Sequence, residues 1–406
     1  MKYGNKHTLW RLPDGMQELL PQQAQALEWL RRTIYDLHIS WGYQPVEPPV
    51  VEFLDSLLSG TGRDFERQTF KIADPLSGRM MGLRADMTPQ VARIDAHQLD
   101  NTDVARLFYI GTVVRAHTDG IEKNRAPLQI GAEIFGHSGP QSDVEVIRLM
   151  VAALQCTGIE DIHLDLGHVG VFRSICEQIE LTDADQSELF ELLQRKAVTD
   201  IQIFADRVGL AGEVCNLLCK LCLMNGDNAA LQRAKSELAN GTLSVDDKHM
   251  SAALQELETI SEALQDLPDS ISIHFDLAEI RGYQYHTGVV FAAYTPGVGS
   301  EIARGGRYDG IGENFGRSRP ATGYSTDLKL LMRLIGYDRL ADSRGIPDSQ
   351  RRGILCPDDA CPELQKTVAQ LRSQGEIVAF DLTGFDQSRC DRVLQKKAGG
   401  WSVEKL

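Results

Sequence analysis

The sequence lacks the features of a membrane protein, a secreted protein or a general nucleic-acid-binding protein. No apolar run approaches the roughly 20 residues of a membrane span, and Met1 to Trp10 contain no apolar core of a secretory signal. Asp and Glu outnumber Lys and Arg by 57 to 42, giving a formal net charge of −15. General nucleic-acid binding needs the opposite balance. We therefore expect a cytoplasmic globular protein with no membrane partner.

Cysteine is sparse and shows no second Cys/His pair at zinc spacing. Cys215, Cys219 and Cys222 fall on one stripe of a predicted helix, which is compatible with either a metal cluster or a packed helix face. Packing is the favoured interpretation because free cysteine behaves as a small buried hydrophobe. We expect a reducing compartment and neither a metal nor a cofactor.

At 406 residues the chain is long enough for two or three domains. Residues 182–266 lack strand patterns and predict a helical insertion in a core over residues 1–339. A polar linker is predicted at 340–352, and a small C-terminal α/β domain at 353–406. The elements predicted near the motifs below are helices at 16–41, 326–335 and 387–397, a helix that begins at Thr88 as N-cap, and strands at 105–114, 128–137 and 284–293.

The segment from Arg281 to Phe291 predicts a strand with polar groups on one face. Alternation along a strand points Arg281, Tyr283 and Tyr285 to the same side. A guanidinium beside phenolic hydroxyls suits the carboxylate and polar ring of a small amino acid. The segment therefore predicts an amino-acid-binding site.

Leu128 to Phe135 predicts a strand with Gln129, Gly131 and Glu133 on one face. The glycine leaves room for a ligand, and the two polar side chains can accept hydrogen bonds from an ammonium or a ring N–H. The alternative is a half-exposed strand with these groups in water.

Other polar residues have both a binding and a structural interpretation. Asp86 and Thr88 precede a predicted helix and could hold an α-ammonium or cap the helix. Arg115 could be a carboxylate clamp or a surface charge. The string from Arg304 to Gly310 predicts a glycine-rich turn, which lacks the lysine and spacing of a Walker loop.

In this order the motifs resemble the catalytic core of class II aminoacyl-tRNA synthetases, and histidyl-tRNA synthetases most closely. The resemblance covers about residues 10–335, and the tail resembles the first half of the synthetase anticodon-binding domain. It implies an α+β fold with an antiparallel sheet flanked by helices. The strings that carry it are Leu83-Arg-Ala-Asp-Met-Thr88, Phe108-Tyr-Ile-Gly with Arg115, Gln129-Ile-Gly-Ala-Glu-Ile-Phe-Gly136, Arg281-Gly-Tyr-Gln-Tyr285 and Gly305-Gly-Arg-Tyr-Asp-Gly310.

The resemblance also implies a histidine-binding site. The matching positions assign the α-ammonium to Asp86, Thr88 and Gln129, and the imidazole to Glu133. They assign the carboxylate side to Arg115 and Arg281, with Tyr285 in the same site.

The departures from the synthetase pattern concern ATP and the imidazole. His117 stands where the family needs a glutamate that contacts adenine, and Lys329-Leu330 replaces a Glu-Arg pair. A leucine cannot neutralise triphosphate charge. A cation that stabilises the charge on a transferring phosphate is often the largest single contribution to catalysis. His286 replaces a tyrosine that contacts the imidazole. The amino-acid pocket is thus retained without the machinery that activates the amino acid.

This combination is similar to the histidyl-tRNA synthetase-like regulatory subunits of ATP phosphoribosyltransferase. The resemblance implies a non-catalytic homodimer that assembles with the short catalytic subunit into a hetero-octamer, four of each. It also implies that the chain activates the catalytic subunit and transmits inhibition by histidine in the first step of histidine biosynthesis, and that it does not bind tRNA. The alternatives are an active or degenerate histidyl-tRNA synthetase and a stand-alone amino-acid sensor.

Overall fold

The computed structural model describes residues 11–59, 62–99, 103–118, 124–179, 181–239, 248–280, 282, 285–336, 353–359, 361–382 and 390–406. These residues form two compact units. The first contains Leu30–Ile335, and the second contains Leu19–Trp29 with the described residues from Gly336 onward.

The helices are α1 (Pro21–Ser40), α2 (Leu54–Leu57), α3 (Arg63–Gln68), α4 (Thr88–Ile94), α5 (Pro140–Thr157), α6 (Val169–Gln178), α7 (Asp183–Gln194), α8 (Val198–Val208), α9 (Gly212–Leu221), α10 (Asn228–Ala239), α11 (Lys248–Ala263), α12 (Leu328–Ile335) and α13 (Pro362–Ser373). The strands are β1 (Gln44–Pro45), β2 (Val51–Phe53), β3 (Phe70–Ala73), β4 (Met80–Leu83), β5 (Ala105–Thr112), β6 (Leu128–Phe135), β7 (Ile162–His168), β8 (Asn225–Gly226), β9 (Ile271–Asp276), β10 (Val289–Tyr294), β11 (Ala303–Arg307), β12 (Ala321–Asp327), β13 (Gly353–Cys356), β14 (Val378–Phe380), β15 (Cys390–Lys397) and β16 (Gly400–Lys405).

A nine-stranded sheet in the order β1-β5-β6-β12-β11-β10-β7-β9-β8 is the framework of the first unit. Its six central strands, from β5 to β7, pair antiparallel. The pairs β1–β5 and β7–β9 are parallel. Together with the flanking helices, this sheet confirms the predicted α+β class.

Helix α5 packs against β6 and β12 and covers one face of the sheet. Its apolar side chains, including Val146 and Met150, are fully buried, as are Ile130 and Ala132 of β6. Burying a large aliphatic side chain stabilises the fold by ~1.5–3 kcal/mol. The opposite face of the central strands is therefore available to carry polar side chains on a rigid support.

A second buried contact joins helix α1 to the sheet. The ring of His38 donates from Nδ1 to the carbonyl of Ile34 at 2.7 Å, and its Nε2 lies 2.9 Å from the hydroxyl of Tyr324 on β12. Burial lowers the pKa of His38 to about 4, so the ring is neutral. Because Nδ1 carries the hydrogen, Nε2 accepts from the Tyr324 hydroxyl.

Residues 182–266 are helical where they are described, except for β8, a two-residue strand at the edge of the sheet. Helix α9 carries Cys215 and Cys219 partly buried, and the buried Cys222 follows its last residue. Burial raises the pKa of Cys219 to about 11. All eight cysteines are free thiols. This arrangement agrees with helix packing, and the described residues contain no metal-type cluster of three or more His, Cys, Asp or Glu.

The predicted strand at 284–293 is wrong over residues 285–288, because β10 begins only at Val289. Gly282 has φ of +69°, in the left-handed region. The amides of Tyr285 and His286 both donate to the Gly282 carbonyl at 2.7 Å, which makes a turn. The alternation assumed for this segment therefore does not apply at Tyr285, and Arg281 and Tyr283 lie outside the described residues.

Four other predicted elements are also corrected. The glycine-rich string at 304 lies mostly in strand β11, and residues 326–327 end strand β12 before helix α12 begins. Residues 390–397 form strand β15, which pairs with β13 and β16, instead of a helix. Strand pairing with distant residues overrides local helix propensity at this point. Helix α1 also begins at Pro21, five residues later than predicted.

No helix in the described ranges combines the length and the apolar character that a bilayer crossing requires.

Candidate functional site

A cavity of about 570 Å³ lies over the polar face of the large sheet. Its walls come from the start of α4, from Gly282, Tyr285 and His286, and from strands β6, β10, β11 and β12. Four of the predicted site residues line this one cavity: Asp86, Thr88, Glu133 and Tyr285.

Glu133 is the central acceptor of the cavity. Its Oε1 accepts from the hydroxyls of Thr88 and Tyr109, both at 3.0 Å, and its Oε2 accepts from the hydroxyl of Tyr308 at 2.5 Å. Burial raises the pKa of Glu133 to about 8, although the three donors act in the opposite direction. Burial therefore favours the neutral carboxyl, whereas the three hydroxyl donors favour its anion. The alternative of polar residues in water is wrong, because Glu133 and Gln129 are only 1% and 4% exposed.

Two glycines make room for these groups. A Cβ at Gly323 would lie 1.4 Å from Oε2 of Glu133, and a Cβ at Gly131 would lie 2.3 Å from the hydroxyl of Tyr109. Any side chain at either position would displace the polar cluster.

Gln129 does not line the cavity but holds Asp86 and the start of α4 in position through hydrogen bonds. Its Nε2 donates to Asp86 Oδ1 at 3.1 Å, and its Oε1 accepts from the amide of Met87 at 3.1 Å. The amide of Thr88 donates to the same Asp86 oxygen at 2.8 Å. Asp86 thus satisfies a free amide at the start of α4 from the position before the N-cap, which is Met87. Thr88 is the first residue of the helix, not its N-cap, and its hydroxyl contacts Glu133.

Neither predicted carboxylate-binding arginine is among the described residues that line the cavity. Arg115 donates from Nε to the carbonyl of Ala85 at 3.3 Å and does not belong to the lining. Arg281 lies outside the described residues. The lining instead contains Arg304, an exposed cation paired with Glu301 at 3.3 Å. Its position in β11 beside two glycines is the signal that could have identified it.

Two tyrosines were missed by the sequence interpretation. Tyr109 and Tyr308 both donate to Glu133, and both occur within the strings that resemble the synthetase core. The ring of Tyr285 stacks on that of Tyr308 with centroids 5.1 Å apart. The Tyr285 hydroxyl is buried and has no hydrogen-bond partner among the described residues. Burial raises the pKa of all three tyrosines well above its usual value, so they remain neutral donors.

The residues at and near the altered synthetase positions 329 and 330 have structural contacts. Lys329 is buried and donates from Nζ to the carbonyl of Ala126 at 2.6 Å. Asp327, two residues earlier, accepts from the amide of Leu128 at 3.0 Å. Leu330 is also buried. This part of the chain holds the start of β6 in place.

Family models match almost the whole chain. The model for histidyl-tRNA synthetase matches residues 15–331, and the model for the C-terminal domain of ATP phosphoribosyltransferase subunit HisZ matches residues 351–404. Two relatives are named ATP phosphoribosyltransferase regulatory subunit. One, from Thioalkalivibrio sulfidiphilus, is 48% identical over 98% of each chain. The other, from Pseudomonas fluorescens, is 45% identical over 98% of each chain.

Solved structures share the fold. A protein from Bacillus halodurans, described as an ATP phosphoribosyltransferase regulatory subunit/histidyl-tRNA synthetase, aligns with a TM-score of 0.77 and 26% identity over 93% of this chain and 94% of that one. The histidyl-tRNA synthetase of Nostoc sp. aligns with a TM-score of 0.74 over 98% of this chain and 94% of that one. Its 19% identity shows the fold alone.

The antiparallel sheet and its pocket define a protein of the class II synthetase fold, of the histidyl-tRNA synthetase type. Within that type, the chain belongs to the family of ATP phosphoribosyltransferase regulatory subunits. This membership confirms the predicted resemblance and the prediction of a regulatory rather than catalytic subunit.

Proposed function

We propose that this chain activates the short catalytic subunit of ATP phosphoribosyltransferase and mediates its feedback inhibition by histidine, in the cytoplasm, at the first step of histidine biosynthesis. The observation that carries the proposal is the buried Glu133 with its three hydroxyl donors, in a cavity of about 570 Å³. The catalytic partner is inferred from the family to which the chain belongs.

The proposed ligand contacts follow the chemistry of the cavity wall. The Asp86 carboxylate attracts the α-ammonium, together with Thr88 and Gln129, and Glu133 binds the imidazole. Arg115 and Arg281 bind the carboxylate side. The Tyr285 hydroxyl supports a ligand in this place, because an unpaired buried hydroxyl costs ~1–3 kcal/mol until an acceptor reaches it.

The proposed assembly is a homodimer through the synthetase-like core, joined to the catalytic subunit as a hetero-octamer with four of each. We also propose that this core extends to residue 339, that 340–352 are a linker and that the tail is a reduced anticodon-binding-like domain. Regulation requires that histidine bind one state of the complex more tightly than another, because a ligand with equal affinity for both states shifts nothing.

The decisive experiment measures phosphoribosyltransferase activity of the short catalytic subunit, with and without this chain, across a series of histidine concentrations. We expect activation without histidine and loss of activity as histidine rises. Glu133→Gln should retain activation and lose most of the inhibition, whereas Glu145→Gln, on the far side of the sheet, should retain both. Absence of activation would contradict the proposed partner, and activation without inhibition would contradict the sensor.

An exchange assay separates this proposal from the synthetase alternative. We expect no histidine-dependent ATP–pyrophosphate exchange, because Leu330 supplies no charge for the triphosphate. Robust exchange would support an active synthetase instead.

A further inference from the structure

Lys196 follows helix α7 in a backbone conformation that usually requires glycine. Among the described residues it is the one non-glycine residue with positive φ, at +52°. Its amide donates to the carbonyl of Leu193 at 2.9 Å, and the amide of Ala197 donates to the carbonyl of Leu192 at 3.0 Å. These two hydrogen bonds form a Schellman motif, in which glycine or asparagine normally takes the place of Lys196. A left-handed lysine is strained, so another contact must hold it there.

That contact is an ion pair with Asp276, at the end of strand β9. Nζ of Lys196 lies 2.7 Å from Oδ2 of Asp276. The helical insertion reaches the same residue a second time, because strand β8 pairs with β9 at Asp276. The amide of Leu277 also donates to the carbonyl of Met224 at 3.2 Å. Of these contacts, only the ion pair depends on the side chain of Lys196.

Asp276 in turn fixes the short segment that leads into the cavity wall. Its Oδ1 accepts from the amide of Ala278 at 3.0 Å, and its carbonyl accepts from the amide of Glu279 at 3.0 Å. This turn crosses strand β7 without free space, since a Cβ at Gly167 would lie 2.4 Å from the Glu279 carbonyl oxygen and 3.0 Å from that of Asp276. Glu279 and Gly282 line the cavity. A shift of Asp276 should therefore move residues of the cavity wall.

The charges around Asp276 explain why the ammonium matters. Asp165 of β7, Asp276 and Glu279 are neighbouring carboxylates. Lys196 and His274 of β9 lie beside them, with His274 at 3.2 Å from Asp165. Burial raises the pKa of Asp165, His274 and Lys196 oppose this effect, and the two other carboxylates reinforce it. Without the Lys196 ammonium, the carboxylates repel one another more strongly, and the turn loses part of what holds it in place.

We propose that Lys196 is a positioning residue, which holds the turn from Asp276 to Glu279 so that the cavity wall keeps the shape that binds histidine. The inference rests on the proposed function and assigns a role to the helical insertion. Lys196 itself does not line the cavity and acts through the ion pair. A change in the position of helix α7 therefore alters the affinity for histidine, and by linkage histidine biases the position of α7.

Lys196→Gly separates positioning from support of the fold. Glycine adopts the left-handed conformation freely and a partly exposed ion pair adds little to stability, so the melting temperature should be unchanged or higher. The affinity for histidine should nevertheless fall roughly two- to thirtyfold, the range for substitutions that alter coupling between sites. Titration calorimetry and a thermal melt of the full-length chain measure both quantities. Wild-type affinity in this variant would overturn the inference.

Two control variants test whether the charge of Lys196 is the cause. Lys196→Arg retains a cation and should bind histidine as the wild type does. Lys220→Met breaks an ion pair inside the insertion, with Glu237 at 3.3 Å, and should also retain the affinity. A loss in either control as large as that of Lys196→Gly would overturn the assignment to this charge.

A double-variant comparison follows the effect to the turn. Asp276→Asn keeps an acceptor for the amide of Ala278 and removes the charge. It should weaken histidine binding as Lys196→Gly does, and the two changes together should weaken it no further, because both remove the same ion pair. Additive losses would contradict the inference. If the wild-type chain and its complex bind no histidine, the proposed function itself fails, whereas unchanged binding in Lys196→Gly removes only the present inference.

Discussion

Oε2 of Glu133 occupies the space that any side chain at Gly323 would need. The two residues face each other in the antiparallel pair of β6 and β12, and a Cβ on residue 323 would lie 1.4 Å from the carboxylate oxygen. The absence of a side chain at Gly323 on β12 therefore leaves space for the Glu133 carboxylate on β6. The polar cluster of the pocket depends on this glycine as well as on Gly131.

Gly323→Ala should abolish detectable histidine binding, because the added methyl group displaces Glu133 from its three donors. The free energy of unfolding should fall by ~1–3 kcal/mol, as for other overpacked sites. Calorimetric titration and urea unfolding check both values. Gly310→Ala is the matched control, since a Cβ there would meet nothing within 4 Å and φ is −89°. Wild-type affinity in the Gly323 variant would contradict the assigned pocket.

Tyr308→Phe should weaken histidine binding roughly tenfold, because a hydrogen bond to a charged acceptor contributes ~1.5–3 kcal/mol. The ring that stacks on Tyr285 remains, so the melting temperature should change little. Removing this donor also leaves the anion of Glu133 less stabilised, so the pKa of Glu133 should rise further. Calorimetry gives the affinity, and a thermal melt verifies the fold. Unchanged affinity would show that Tyr308 does not support the ligand-bound anion.

The contribution of Glu133 to stability should decrease as pH rises from 5 to 8.5. The pKa of Glu133 is raised from 4.5 to about 8 in the folded chain. The folded state therefore holds a proton that the unfolded state releases, and this stabilisation is lost as pH rises through 8. Glu133→Gln removes the contribution and should show a smaller decrease, measured by urea unfolding at several pH values. Asp143, with pKa raised to about 6, contributes equally to both proteins. Parallel curves for the two proteins would contradict the raised pKa of Glu133.

Asp143 and Glu145 on α5 form a matched pair of ion-pair tests. Asp143→Ala removes the fully buried carboxylate of Arg307 and leaves only the more exposed Asp309, at 3.3 Å, so it should destabilise the fold by ~3–5 kcal/mol. Glu145→Ala breaks the more exposed pair with Arg106 and should cost about 1 kcal/mol or less. Chemical denaturation of both variants gives the comparison. Similar losses in the free energy of unfolding would mean that burial does not make the Arg307–Asp143 ion pair more stabilising than the Arg106–Glu145 pair.

Much of the site could be predicted from the sequence where strand alternation or a glycine indicated which residues face the ligand. Gln129 and Glu133 share the polar face of β6, and Gly131 between them faces Tyr109, as a strand period of two requires. The α+β class was implied by the order of the motifs that resemble the synthetase core, and the sheet confirms it. The first success depends on local periodicity and the second on that resemblance.

The failures concern interactions between distant residues. Nothing local indicates that Tyr308 would reach across the sheet to Glu133, or that the Thr88 hydroxyl would leave its own helix start for the same oxygen. The turn at Gly282 interrupts an otherwise strand-like string because its backbone adopts φ of +69°. Strand β15 exists because β13 and β16 pair with it. Local propensity contains no information on such partners.

The contact between His38 and Tyr324 joins a long helix to the strand whose neighbouring residues, Gly323 and Ser325, line the cavity. It contains no formal charge, since both groups are neutral over the physiological pH range. Salt therefore cannot screen it, and ordinary changes in pH cannot break it. The hydrogen bond between helix α1 and the strand therefore depends on the positions of the two side chains and does not depend on ionic strength.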